Sequence, residues 1–380
     1  MKVLHIITGL AQGGAERALF LLITNNHNDN FVTHIVVSMV DFGVYGKRLQ
    51  DAGIQVHMLQ MPRGMLTFKG LYKLWSLIRK IKPDIIQTWM YHSDLVGGLI
   101  ARLAGYNNVI WGIVGFNLNP NVASSSTRLT AKICAMLSGF IPRKIISCSA
   151  KSATVHQNMG YAREIFETIP LGYDLKEFKR NESERYKLRK SYGIGLESIV
   201  VGCVARWNPQ KDHRNLLQAI SIIKDKFSFH CVLAGPGMME NNKDLLDLIN
   251  SISGLNHNIV LAGIVDSIPN VMSAFDLHIL PSLGEAFPNV VAEAMACRTP
   301  CIVTDVGDAA TIVGNTGWVV PFGNSVALAN TMMTALNEME NKEKWKQRTM
   351  DCRTRIAENY TIERMVKSYN NLWHLVAAQA

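Results

Sequence analysis

Glu285 and Glu293 stand eight residues apart in the stretch P-S-L-G-E-A-F-P-N-V-V-A-E-A-M-A, residues 281–296. The apolar run ahead of it, residues 274–280, reads as a buried strand, and Pro288 reads as at or near the first position of a helix, where its missing N–H costs nothing. Strand, turn and helix N-terminus together make a place for an anion. The amides around Asn289, Val290 and Val291 are expected to lack intrahelical acceptors, and the helix macrodipole favours a group such as a diphosphate. Glu285 falls in the turn, and Glu293 falls inside a helix whose other residues are small or apolar, so its carboxylate must find a partner there. The same pattern also describes a solvated turn carboxylate followed by an ordinary helix with one wet face. A second set of charges, Arg206 and Lys211 in R-W-N-P-Q-K-D, brackets a proline turn after another apolar strand. Two cations converging on one point suit a diphosphate, although solvated loop cations are the plainer reading of those two residues taken alone.

The elements that must position these groups alternate in type along the chain. Apolar strands are predicted at residues 1–8, 32–38, 54–59, 84–88, 109–113, 144–147 and 165–169, with helical patterns between them. Such alternation with short connections indicates a parallel sheet covered by helices on both faces, whose ligands bind beyond the carboxyl ends of the strands. Two features fall at such ends: W-M-Y-H-S-D, with His92 past the strand ending near Thr88 and ahead of a helix over 95–104, and W-G-I-V-G-F-N-L past the strand at 109–113. A lone His is ordinarily a satisfied structural residue. The first strand runs into Gly9 and then Gly13-Gly14, a spacing that fits neither G-x-G-x-x-G nor a P-loop. At residues 179–194 the composition turns polar and charged, which predicts a linker between a first domain, 1–178, and a second, 195–361, with a terminal helix over 362–380 packing back on the first.

Composition narrows the class. With 380 residues the chain has room for two cores. No apolar run is long enough to span a bilayer and the start lacks a cleavage-site pattern, so the expected location is the cytoplasm. Seven scattered cysteines indicate reduced, structural thiols with no zinc or disulfide spacing. Residues 1–180 carry 20 Lys+Arg against 10 Asp+Glu, while the remainder carries 19 against 20. No nucleic-acid recognition motif accompanies this one-sided charge, so an anionic membrane surface or a pyrophosphate-linked lipid explains it better. The helix predicted over 67–82 has an apolar face of Leu71, Leu74, Trp75 and Ile78 and a basic set of Lys69, Lys73, Arg79, Lys80 and Lys82. That is a sheet-covering helix with a solvated basic face, and equally a surface for anionic lipid. A second basic helix is predicted over 128–144, with Arg128, Lys132, Arg143 and Lys144.

The block E-A-F-P-N-V-V-A-E resembles the Glu-x7-Glu signature of retaining glycosyltransferases of the group 1 family that builds bacterial surface polysaccharides. G-G-A-E at 13–16, W-M-Y-H-S-D, T-I-P-L-G-Y-D-L-K-E-F at 168–178 and R-W-N-P-Q-K-D resemble further blocks of that family in its order. Departures occur at Val114 and Gly115, Leu171, Ala205, Ile264, Arg298 and Asp308. The resemblance implies the GT-B fold, α/β with two Rossmann-like doubly wound domains facing each other across a cleft. It implies that Glu285 contacts the donor sugar, that Glu293 holds the ribose, and that Arg206 and Lys211 clamp the diphosphate. By the same resemblance Gly13, Gly14, Gly235, Ala286, Phe287, Pro288, Asn289 and Val290 bind the donor and His92 shapes the acceptor pocket. The implied function is transfer of a hexose-type sugar, from a UDP-sugar ahead of a GDP-sugar, to a lipid-pyrophosphate-linked glycan of O-antigen, capsule or exopolysaccharide, peripherally on the inner face of the cytoplasmic membrane.

A departing nucleoside diphosphate builds negative charge that metal or protein donors must stabilise. The chain has no D-x-D pair, so the expectation is a transferase needing no metal or other cofactor, served by Arg206, Lys211 and the helix amides. A sugar-nucleotide epimerase of similar shape and a non-catalytic nucleotide-sugar-binding subunit are the alternatives.

Overall fold

The computed structural model describes residues 1–26, 32–115, 124–252 and 259–379. The chain divides into two units, Met1–Gly172 with Ile362–Ala380, and Tyr173–Thr361.

The first unit runs β1 (Lys2–Ile7), α1 (Gly14–Thr24), β2 (Thr33–Ser38), α2 (Gly43–Asp51), β3 (Gln55–Met58), α3 (Phe68–Ile81), β4 (Ile85–Trp89), α4 (Tyr91–Leu103), β5 (Val109–Ile113), α5 (Ser125–Leu137), β6 (Lys144–Ser147), α6 (Ala150–Asn158) and β7 (Phe166–Thr168). Its seven strands lie in the order β3-β2-β1-β4-β5-β6-β7, every pairing parallel. The central strands β4 and β5 are buried along their whole length because helices cover both faces, and the polar side chains of β4, Gln87 and Thr88, are hydrogen-bonded inside the protein. Leu4, Ile6, Ile86, Val109, Trp111 and Ile145 form the centre of the core, all at most 1% exposed. The order reverses between β1 and β4, which puts a crevice at their carboxyl ends.

The second unit runs α7 (Glu182–Ser191), β8 (Ile199–Val204), α8 (His213–Ile223), β9 (Phe229–Ala234), α9 (Lys243–Asn250), β10 (Ile259–Gly263), α10 (Ile268–Ala274), β11 (Leu277–Leu280), α11 (Asn289–Ala296), β12 (Cys301–Thr304), α12 (Ala309–Val313), β13 (Trp318–Val320), α13 (Ser325–Glu340) and α14 (Lys342–Asn359). Its parallel sheet has the order β10-β9-β8-β11-β12-β13, reversing between β8 and β11. The last helix, α15 (Ile362–Ala378), belongs to the first unit, where buried Trp373 donates to the Gln87 side chain and sets its ring against His5 and His34.

Three expectations are corrected. Residues 182–191 are not a linker but α7, a helix of the second unit. Arg185 and Arg189 both reach Asp276, at 2.5 and 2.7 Å, and Asp276 also accepts the Val200 amide at 2.8 Å. The charge that reads as solvated in sequence is spent on one carboxylate ninety residues on. The basic helix predicted over 128–144 ends at Leu137, so Arg143 and Lys144 lie outside it and Lys144 opens β6. Finally, α3 buries Gly70, Leu74 and Ile78, while Trp75 stands 36% exposed with Tyr72 stacked on it.

Candidate functional site

In the second unit the β8/β11 switch point gathers the charged residues. After β8 the chain makes a single tight turn over Pro209–Lys211, opened by the Asn208 side chain accepting the Gln210 amide, and enters α8 through Asp212, a left-handed residue at φ 44°. That turn aims Lys211 at the loop leaving β11. Its Nζ lies 2.5 Å from Glu285 Oε1, with the two side chains 20% and 12% exposed. The Ser282 hydroxyl donates to the same oxygen at 2.7 Å. Gln210 ties the two loops together, its carboxamide donating to the Gly284 carbonyl and its own carbonyl accepting the Leu283 amide. Gly307, at φ 50°, backs the loop from behind. A Cβ there would fall 2.2 Å from the Glu285 carbonyl oxygen, and Asp308 donates its amide to Ala286.

The structure therefore brings Lys211 and Glu285 into direct contact, whereas Arg206 is exposed and touches neither. Helix α11 begins at Asn289, with Pro288 as its N-cap, where the sequence places its start. The Val291 amide donates back to the Pro288 carbonyl at 3.1 Å, which narrows the anion-accepting amides to those of Asn289 and Val290. Asn289 accepts the Tyr173 hydroxyl at 2.6 Å, and Phe287 is buried against Tyr360. Glu293 is 2% exposed on the inward face of α11. Gly235 leaves β9 at φ 131°, with the Ala205 carbonyl oxygen 2.3 Å from where a Cβ would sit. No other residue permits that approach of the β9 loop to the β8 loop.

In the first unit the β1/β4 switch point opens on a cavity of about 760 Å³ lined by Thr8, Gly9, Glu16, Asp41, Arg63 and His92 among others. His92 is corrected in one respect: α4 starts at Tyr91, so His92 sits in the first helical turn instead of a loop. Strand becomes helix across one residue, Met90, at φ 71° and ψ 159°, a region in which side chains are strained and which recurs at functional sites. Burial holds the His92 imidazole below its ordinary value, so it is neutral at pH 7. Asp94, two residues on, is wholly buried, accepts from Thr88 Oγ1 at 2.5 Å, and is pushed up to about 7 by desolvation. Arg63 pairs with Asp41 at 3.1 Å, and Asp41 also takes the Leu10 amide, tying the loop after β1 to the loop after β2. Gly13 and Gly14 end that first loop. Gly13 is extended, at φ −166°, and a Cβ there would meet only the Glu16 carboxylate, while one on Gly14 would meet nothing. Of the second loop, Val114 and Gly115 lie within the described residues and residues 116–118 lie outside them.

Against known proteins, residues 198–338 match the model of the glycosyl transferases group 1 family. That stretch runs from just before β8 into α13 of the second unit. A UDP-Gal:alpha-D-GlcNAc-diphosphoundecaprenol alpha-1,3-galactosyltransferase of Escherichia coli is 25% identical over 80% of this chain and 79% of its own. An N,N'-diacetylbacillosaminyl-diphospho-undecaprenol alpha-1,3-N-acetylgalactosaminyltransferase of Campylobacter jejuni is 27% identical over 69% of this chain and 70% of its own. Among solved structures, Anabaena Alr3699/HepE in complex with UDP superposes with a TM-score of 0.83 at 23% identity, covering 98% of this chain and 99% of that one. The fold is GT-B, two parallel-sheet α/β domains, as the resemblance implies.

Sequence reasoning missed Ser282, Gln210, Gly307 and Asp94. Asp94 alone carried a readable signal, an acid among apolar and small residues early in a helix. Gln210 and Gly307 act through contacts with residues far off in the chain, and Ser282 acts through Glu285 three residues on, a contact that only the loop's conformation makes. Among the described residues no three His, Cys, Asp or Glu side chains group so as to hold a metal ion.

Proposed function

We propose that the protein is a retaining glycosyltransferase that moves a hexose-type sugar from a UDP-sugar to a lipid-diphosphate-linked glycan in surface-polysaccharide assembly, without a metal. The observation that carries this reading is the Lys211–Glu285 pair at the β8/β11 switch point, inside the stretch that matches the glycosyl transferases group 1 family. The donor and acceptor classes draw support from the relatives: the Escherichia coli enzyme is named for UDP-Gal and a diphosphoundecaprenol-linked sugar, and Alr3699/HepE is solved with UDP.

Lys211, Arg206 and the Asn289 and Val290 amides stabilise the diphosphate as charge builds on it. The bond between the anomeric carbon and the phosphate oxygen breaks, leaving an oxocarbenium-like sugar. The acceptor hydroxyl oxygen bonds to that carbon on the same face, and its proton passes to the departing phosphate oxygen. Glu285 orients the sugar hydroxyls, Glu293 holds the ribose, and the cavity with neutral His92 receives the acceptor.

The exposed side of α3 docks on anionic lipid. Phe68 and Tyr72 are 93% and 69% exposed beside Lys69, Lys73, Arg79 and Lys80. Met65 and Leu66 line the cavity and are themselves more than half exposed, so its mouth adjoins this surface. Among the described residues no helix is long and apolar enough to cross a membrane. Gln at positions 69, 73, 80 and 82 is expected to weaken binding to phosphatidylserine vesicles by at least about tenfold. Undiminished binding removes α3 as the docking surface.

The deciding experiment incubates the protein with UDP-, GDP- and ADP-sugars, with and without EDTA, and detects nucleoside diphosphate. Release from one donor, insensitive to EDTA and lost in Glu285→Ala, supports the donor site, and the anomeric configuration of the acceptor product tests retention. Activity unchanged in Glu285→Ala sinks the assignment. Interconversion of donor sugars without transfer would mark an epimerase.

A further inference from the structure

We infer that Ser282 and Gln210 are positioning residues that present Glu285 to the donor through Oε2 alone and fuse Lys211 and Glu285 into one unit reading phosphate and sugar together. The inference rests on the transferase reading above.

A carboxylate oxygen has two acceptor sites. Glu285 Oε1 receives the Ser282 hydroxyl at 2.7 Å and Lys211 Nζ at 2.5 Å, so both are filled and Oε2 is the oxygen left for a ligand hydroxyl. Ser282 is 0% exposed, so its hydroxyl cannot turn to water, and its carbonyl is fixed in turn by Thr304 Oγ1 at 2.7 Å. Lys211 spends one of three N–H donors on Glu285 and keeps two for a phosphate oxygen. Gln210 sets the distance between these charges. It holds the Leu283–Gly284 backbone at two points while adjoining Lys211 in sequence, so the lysine turn and the glutamate loop move together. Without Ser282 the carboxylate is free to rotate about Lys211, and which oxygen faces the sugar becomes undefined. A nucleoside diphosphate lacking the sugar touches only the lysine side of the unit and does not sense this.

Calorimetric binding of UDP, UDP-glucose and UDP-galactose to the full-length protein separates the two sides. In Ser282→Ala the affinity for UDP is expected to stay within about twofold, while affinity for the UDP-sugar relative to UDP falls about fivefold to tenfold, the weight of one ordinary hydrogen bond. Gln210→Ala, altering a part-exposed side chain, moves the ratio the same way. Ser282→Thr restores it. In a Glu285→Ala background Ser282→Ala changes nothing further, because its only route is through that carboxylate. Equal weakening of UDP and UDP-sugar, or effects of Ser282→Ala and Glu285→Ala that add, overturns the positioning role. Failure of the unaltered protein to bind any of the three overturns the transferase reading itself, and this inference with it.

Discussion

At the first unit's switch point the strand ends open on a cavity of about 760 Å³, while at the second unit's they close on an ion pair held by a serine and a glutamine. Winding is shared by the two sheets, so the difference lies in the loops. In the first unit a glycine-bearing loop after β1 and a one-residue turn after β4 keep side chains short or turned aside. In the second, two loops carry long side chains of opposite charge that meet. Charge follows the same division: the first unit has 19 Lys+Arg against 9 Asp+Glu, the second 20 against 21. The first unit's basic excess lies outside its cavity, whose lining sets Arg63 against Glu16 and Asp41, so that site is open without being cationic. A neutral, preorganised site suits a small donor whose charge and hydroxyls must be met at fixed points.

The sharpest way to break the comparison is through the scaffold of the second unit alone. Removing Asp276 leaves fully buried Arg189 and largely buried Arg185 without their carboxylate. Asp276→Ala is expected to cost that unit about 3–5 kcal/mol. Hydrogen exchange should show faster opening of β8 and β11 with the first unit's sheet unchanged, and uniform loosening of both units would show that their stabilities are not separate.

A smaller effect is expected in the first unit's cavity. His92→Ala should raise the acceptor KM about tenfold to a hundredfold, of order one or two polar contacts, while donor hydrolysis is untouched. If donor hydrolysis falls in parallel, the two sites do not divide the work as described.

The smallest effect concerns pH. Desolvation raises Asp94 to about 7 in the folded chain against 3.8 ordinarily, so below pH 7 the native state holds a proton that the unfolded state releases. Its contribution to stability therefore falls as pH rises from about 4 to 7. Asp94→Asn should raise the melting temperature by a few degrees at pH 8 and hardly change it at pH 4. Burial acts in the opposite sense on His213 and His278, held at about 4 and about 3. They stay neutral in the native state, so stability is lost as pH falls below about 6.5, and the Asn variant should keep that acid limb. An acid limb that vanishes with Asp94 would remove the buried histidines as its cause.

Strands were legible where a buried run is mostly apolar: β5 and β6 occupy the predicted residues, whereas the run at 274–280 yields a shorter β11, with Ala274 closing α10. Helix starts were less so. α4 begins four residues before its apolar periodicity, on the unusual backbone of Met90, with no capping side chain to announce it. α7 was misread because its arginines are satisfied by Asp276, which no local pattern reveals.

Local chemistry thus determined which residues carry charge, which segments are apolar and where glycine and proline break them, since these depend on near neighbours alone. The chain fixed by itself that Glu285 lies in a turn before a helix and that Lys211 follows a proline turn. Only the tertiary structure decided that these two, 74 residues apart, share one hydrogen bond, that Ser282 fills the remaining site on the same oxygen, and that Arg206 stays exposed and outside this pair. Strand order sets such distances, and strand order is a property of the whole sheet.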